Sequence, residues 1–219
     1  DSQDEDIVPQ EMLDAVVHLD RKEFNVAEMM SETFLDLDQI VQFIDEARKF
    51  EPSHDDKLRK LIRLLKTREL TGQKVLIFTE FADTARYLKR QLDKTGIDGV
   101  AQVDSATKRN RADVIQCFSP YYNSMSAAAL AEKGRDEIRV LISTDVLSEG
   151  LNLQDASRMI NYDIHWNPVR LMQRIGRVDR RMNPEIEKRL IADHPEVASS
   201  RGKVSFWNFL PPEELNEIL

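Results

Sequence analysis

Residues 74–79 read KVLIFT, with four apolar side chains, Val75 to Phe78, in an unbroken row. A strand with one wet face alternates apolar and polar residues. An uninterrupted row fits a strand buried on both faces, as in a parallel sheet. IRVLIS (138–143) has the same character, and VAQV (100–103), RMINYD (158–163) and VSFWNFL (204–210) are three further short strand candidates. Helical patterns lie between them. One runs from about 82 to 94, a second is KRNRADVIQCF (108–118), and SPYYNSMSAAALAEKGRDE (119–137) is a longer connection with a helical centre. Strands alternating with helices in this way predict βαβ units and an α/β fold: a doubly wound, mainly parallel sheet with helices on both faces.

Upstream the pattern changes. Residues 1–10 form an acidic lead-in, and 11–22 and 33–50 show helical spacing, with Leu35, Ile40, Val41 and Ile44 as candidate core positions. The break EPSHDD carries helix-start chemistry from Ser53 to Asp56, and Leu58, Leu61, Ile62 and Leu65 then follow the 3/4 spacing of an amphipathic helix. The expected organisation is therefore an acidic, mostly helical N-terminal extension over 1–52 and an α/β domain over 53–219.

Charge separates the two parts. The chain of 219 residues has net charge −8, yet residues 1–56 hold 17 Asp/Glu against 4 Lys/Arg, so the remainder is basic by +5. One cysteine, Cys117, cannot close an internal disulfide, which favours a reducing, cytoplasmic setting. No apolar run approaches the roughly 18 residues of a membrane span. His18, His54, His165 and His194 are scattered without zinc-ligand spacing, and no G-x-S-x-G elbow occurs. Trp166 and Trp207 read as packing residues. The chain begins at Asp1, so a piece of a longer polypeptide is expected.

The basic residues crowd into VRLMQRIGRVDRR (169–181), which has five arginines. Asn167 and Pro168 supply an N-cap and a first helical residue. With Gln173 at zero on a helical wheel, Arg177 falls at about 40° and Arg180 at about −20°. Leu171, Ile175 and Val178 lie between about 140° and 200°. One face can bury against the sheet while Gln173, Arg177 and Arg180 line the other. Charge alone fits a solvated helix face equally well. Two rigid guanidinium forks on one face also suit a chain of phosphates. Ligands of open parallel sheets bind outside the carboxyl ends of the strands, where Thr79 and Glu80, Asp104 and Ser105, Thr144 and Asp145, and His165 and Asn167 fall. No G-x-x-x-x-G-K-[ST] cradle and no D-E-A-D or D-E-x-H run is present. The chain has the arginines without the nucleotide pocket that they would serve.

QRIGRVDR (173–180) resembles motif VI of superfamily-two helicases, Q-x-x-G-R-x-x-R. VLISTDVLSEGLNLQDAS (140–157) is similar to motif V, and KVLIFTEFADTARYL (74–88) to motif IV and the helix after it. DSATKRNRADVIQCF (104–118) resembles the segment between them. The approach IHWNPVRLMQRIGRVDR is most similar to the Swi/Snf-type branch, in particular to its bacterial RapA-like members. DEAD-box proteins usually begin motif VI with His, where this chain has Gln173.

The resemblance implies the second of two RecA-like lobes, with ATP and Mg2+ held mainly by a first lobe of the same polypeptide. By position, Arg177 and Arg180 match the arginine fingers, and Gln173 the leading polar residue. Gly150 and Asn152 match the nucleotide-facing end of motif V. Thr144 matches the motif V threonine near the nucleic-acid backbone, and Thr79 is its analogue in motif IV. The implied function is the second motor lobe of a nucleic-acid-stimulated ATPase acting as a double-stranded-DNA translocase, inert as an isolated piece, in the bacterial cytoplasm or nucleoid. The alternatives are the second lobe of a DEAD/DEAH-like RNA helicase and a non-catalytic binding or regulatory domain of the same fold.

Overall fold

A computed structural model describes residues 23–104, 111–145 and 152–210. The chain divides into two compact units, Asp1–His54 and Asp55–Leu219. In the first, α1 (Val26–Arg48) starts at Asn25, whose side chain accepts from the Glu28 amide. This helix buries none of its residues. Leu35, Ile40, Val41 and Ile44, expected as core, are exposed instead: among the described residues nothing covers the apolar stripe of this helix.

The second unit begins with α2 (Asp56–Leu65), capped by Asp55, whose Oδ1 accepts from the Leu58 amide at 2.8 Å. Then follow β1 (Val75–Phe78), α3 (Ala82–Asp93), β2 (Val100–Val103), α4 (Arg111–Phe118), α5 (Ala127–Glu132), β3 (Val140–Ser143), β4 (Arg158–Asn161), α6 (Pro168–Val178), α7 (Pro184–Asp193) and β5 (Ser205–Asn208). Short 3-10 turns occur at Tyr121–Asn123 and Pro195–Ser200.

The strands form one sheet in the order β2-β3-β1-β4-β5, and every described pairing is parallel. All four residues of β1, β3 and β4 are buried, which is why β1 and most of β3 read as unbroken apolar runs, while β4 keeps Arg158 and Asn161 at its two ends. The pleat sends alternate side chains to opposite faces. Val75, Ile77, Val140, Ile142 and Ile160 join Leu58, Leu61 and Leu65 of α2 and Ala85, Leu88 and Leu92 of α3 in one core. Leu76, Phe78, Val103, Leu141 and Met159 join Val114, Ile115 and Phe118 of α4 and Val178 of α6 in the other. Helices thus cover both faces.

Gly99 sets the entry to β2. Its φ is +65°, and a Cβ there would stand 3.0 Å from both the Arg139 nitrogen and the Glu137 oxygen. Its carbonyl accepts from the Arg139 and Val140 amides at 2.8 and 3.0 Å, which locks the register with β3.

Candidate nucleotide and nucleic-acid edge

The carboxyl ends of the strands carry a polar network, and α6 lies along it. His165 Nδ1 accepts from the Asn167 amide at 2.9 Å, and Asn167 Oδ1 accepts from the Val169 amide at 2.9 Å. These bonds and Pro168 at the first turn fix where α6 starts.

The buried residues of α6 are Arg174 and Val178, whereas Leu171 and Ile175 are only half-buried. The inward arc is therefore rotated toward Arg174, a residue that wheel reasoning passed over. Arg174 is 1% exposed. Its Nε and Nη2 donate to Asp145 Oδ1 and Oδ2 at 2.7 and 2.8 Å, and its Nη1 donates to the Asp163 carbonyl at 2.9 Å and Asn161 Oδ1 at 3.3 Å. Its guanidinium also stands over the Phe78 ring, 5.2 Å from the centroid. Burial alone would push the Asp145 carboxyl up. The hydrogen bonds and charge of Arg174, with Arg170 and His165 adding, outweigh it and hold the group below the ordinary range.

Further round the helix from Arg174, Gln173 and Arg180 are exposed, and Arg177 is half-buried and engaged in an interaction of its own. Arg180 Nε donates to the Gly176 carbonyl at 3.3 Å, and its Nη1 reaches Asn152 Oδ1 at 3.4 Å. The ends of the two motifs are thus brought together. Asn152 is itself held: its Nδ2 donates to the Tyr122 carbonyl at 3.1 Å, and its own carbonyl accepts from Asn123 Nδ2 at 2.8 Å. Gly150 lies outside the described residues.

The two threonines differ. Thr144 is 4% exposed, and its Oγ1 is buried with no hydrogen-bond partner among the described residues. A buried hydroxyl left without a partner is uncommon and marks this strand end as unusual. Thr79 is fully buried and turned inward, its hydroxyl donating to Asp163 Oδ2 at 2.5 Å. Asp163 also accepts from Lys57 Nζ at 2.8 Å and the Glu80 amide at 3.2 Å. Burial pushes the Asp163 carboxyl up, but Lys57 and Thr79 win and hold it below the usual range. Asp163, which joins α2, β1 and α6, gave no sequence signal beyond its place at a strand end. Trp166 corrects another expectation. It is 85% exposed, so it is not a packing residue; the turn before α6 points it outward, while His165 beneath it is 7% exposed. Trp207 does pack, against the core that includes Ile160 and Tyr162.

The edge fits phosphates better than it fits a metal. Arg180 and Gln173 offer exposed donors and Thr144 an orphaned one. Among the described residues no group of three or more His, Cys, Asp or Glu could hold a metal ion, and no helix is long and apolar enough to cross a membrane.

A parallel five-stranded sheet with an arginine helix at its carboxyl edge defines the class: the second, RecA-like lobe of a superfamily-two helicase. The chain belongs to the helicase conserved C-terminal domain family, whose profile matches residues 56–182. It is 35% identical over 146 residues to the uncharacterized ATP-dependent helicase YqhH of Bacillus subtilis, covering 67% of this chain and 22% of that protein. It is 33% identical over 118 residues to the RNA polymerase-associated protein RapA of Vibrio parahaemolyticus, covering 53% of this chain and 11% of that one. The chain therefore spans less than a quarter of either relative. The C-terminal part of the Fun30 ATPase domain shares the fold, with TM-score 0.53 and 19% identity over 84% of this chain and 52% of that one.

Proposed function

We propose that this chain is the second motor lobe of an ATP-hydrolysing, nucleic-acid-stimulated translocase of the Swi/Snf type, acting on double-stranded DNA. Arg177 and Arg180 would serve as arginine fingers toward ATP held by a first lobe of the same polypeptide, with Gln173, Gly150 and Asn152 at the nucleotide. Mg2+ would be held by the first lobe and the phosphates. The observation that carries this reading is the hydrogen bond from Arg180 to Asn152. It sets a guanidinium fork beside a polar amide on the open side of α6, while Arg174 anchors the same helix from within. An arginine so placed can stabilise the charge that spreads over a transferring phosphoryl group. ATP use by the YqhH relative, stated in its name, agrees.

Nucleic acid would lie along Thr144, whose orphaned hydroxyl can donate to a backbone phosphate, and Thr79, which would act there by holding Asp163. The exposed indole of Trp166 offers an aromatic face on the same edge. Residues 53–219 would act as one lobe, with the acidic 1–52 as an extension, in the cytoplasm or nucleoid. The isolated piece should be inert toward ATP.

The test is Arg177→Ala in the full-length polypeptide. Nucleotide affinity should change little, while turnover should fall by about 10³-fold or more. Near-normal turnover overturns the arginine-finger role. Comparing stimulation by duplex DNA and by RNA separates a DNA translocase from an RNA helicase lobe. A folded full-length protein without ATPase activity under either condition would point to the non-catalytic reading.

A further inference from the structure

The family match ends at residue 182, yet the nucleotide-facing edge is held by residues beyond it. Arg201 follows the 3-10 turn Pro195–Ser200, and its side chain is 5% exposed. Its Nε and Nη2 donate to Glu187 Oε2 and Oε1 at 2.7 and 2.6 Å. Its Nη1 and Nη2 also donate to the backbone carbonyls of Asp155 and Gln154, at 2.9 and 2.7 Å. One guanidinium thus clamps the chain just after Asn152 and pairs with α7 at the same time. Only the planar fork of arginine can meet two carboxylate oxygens and two carbonyls together.

Glu187 carries the hold onward. Its Oε1 accepts from the Tyr122 hydroxyl at 2.7 Å, and that hydroxyl accepts from the Asn183 amide at 3.0 Å. Tyr122 sits in the turn that fixes Asn152: its amide donates to Asp155 Oδ1 at 3.1 Å and its carbonyl accepts from Asn152 Nδ2. Burial, then the Glu187 hydrogen bond, pushes the Tyr122 phenol up to about 12, so it stays a neutral donor throughout the physiological range. Burial would raise the Glu187 carboxyl, but Arg201 and Tyr122 hold it below its usual value. Every link from Arg201 to Asn152 is buried or half-buried and hydrogen-bonded, a setting in which such networks are stiff. The last link is Asn152 Oδ1 to Arg180.

We infer that Arg201 is a positioning residue for the nucleotide edge, acting through Glu187 and Tyr122 on Asn152 and so on the side chain of Arg180; the catalytic part of this inference rests on the arginine-finger reading above. The lobe is then completed by the segment from Asn183 to Arg201, and a residue 49 positions beyond Asn152 in the chain sets the reach of Arg180.

Two measurements test it. In this chain, side-chain NMR of the Arg180 Nε–H group reads the coupling without any ATPase assay. Arg201→Met and Asn152→Ala should move that resonance in the same direction, with Arg201→Lys intermediate because it keeps charge but loses the fork. An unmoved Arg180 resonance in folded Arg201→Met overturns the inference, whatever the enzyme does. In the full-length protein, Arg201→Met should lower kcat by about 10- to 100-fold, the scale expected of a misplaced catalytic group, with KM for ATP nearly unchanged. The double variant with Asn152→Ala should lose little more than either alone, whereas losses that multiply would mark independent structural damage and overturn it. If Arg201→Met fails to fold, Glu187→Gln, which keeps the shape and removes the charge, takes its place in both experiments. A coupled Arg180 resonance together with undiminished turnover in Arg180→Ala would leave the brace standing and remove the finger reading instead.

Discussion

Arg174 and Asp145 meet as a two-pronged pair, 2.7 and 2.8 Å apart, with the guanidinium enclosed and the carboxylate one-quarter exposed. The pair ties α6 to the end of β3. It also explains how a helix with only two half-buried aliphatic residues and one buried valine on its inner side stays in place. The outer arginines owe their orientation to an inner one.

Asp145→Asn should therefore destabilise the lobe more than a typical surface change. The substitution leaves an enclosed cation without its counter-charge, which costs about 3 kcal/mol. Urea denaturation should show a lower midpoint at unchanged slope. A loss below about 0.5 kcal/mol, the range of ordinary surface substitutions, would show that the pair does not hold the helix.

The same carboxyl gives the lobe a pH dependence of definite sign. Asp145 and Asp163 titrate below their ordinary value in the folded chain. Their contribution is thus complete above about pH 4, the unfolded value, and is lost as pH falls through the depressed folded values. Asp155 runs the other way: burial raises its carboxyl, so its contribution is complete at low pH and is lost as pH rises through the raised value. The gap in stability between the native chain and Asp145→Asn should be constant from about pH 5 to 7 and should narrow below about pH 4. A gap that persists unchanged at pH 2.5 would contradict the assignment.

Gly99→Ala should weaken the sheet through the backbone. The new methyl would meet the Arg139 nitrogen and Glu137 oxygen at 3.0 Å, in a conformation with φ +65° that side chains rarely adopt. A loss of about 2 kcal/mol is expected. Amide exchange should rise first at Arg139 and Val140, which donate to the Gly99 carbonyl. Gly134→Ala, also at positive φ but with open space around its Cβ position, should cost less; equal costs would remove the steric part of the argument.

Trp166→Ala should leave thermal stability within error, because the side chain is 85% exposed. In the full-length protein it should weaken stimulation by nucleic acid, with a loss of about 1–3 kcal/mol in binding if the ring stacks on a base. Unchanged stimulation would remove Trp166 from the nucleic-acid edge.

Much of this was legible in the sequence. KVLIFT and IRVLIS announced doubly buried strands because both faces of the sheet are covered, and Asn167-Pro168 announced the start of α6 because capping is local chemistry. Arg174 was not legible, although it stands about 100° from Gln173, beside the apolar arc. Its partner is 29 residues upstream, and a wheel treats every arginine as an outward residue. Asp163 was hidden for the same reason, since its worth comes from Lys57, Thr79 and Glu80, which only the folded sheet collects. Trp166 misled because its bulk suggests packing, whereas the turn geometry sends it outward. The stripe of α1 kept its helical spacing, but amphipathicity shows only that a face could be covered, not that its own unit covers it.

The outermost strand has a practical consequence. Ser205–Asn208 pairs along the whole of β4, yet lies past the last residue that the family profile recognises. A version of this lobe trimmed at residue 182 would bare the amides and carbonyls of β4 along a new border of the sheet. Such a border is a template for pairing with another chain. The trimmed protein should therefore self-associate and precipitate where the longer one stays dispersed, and any effort to produce the lobe by recombinant means should carry it through at least Asn208.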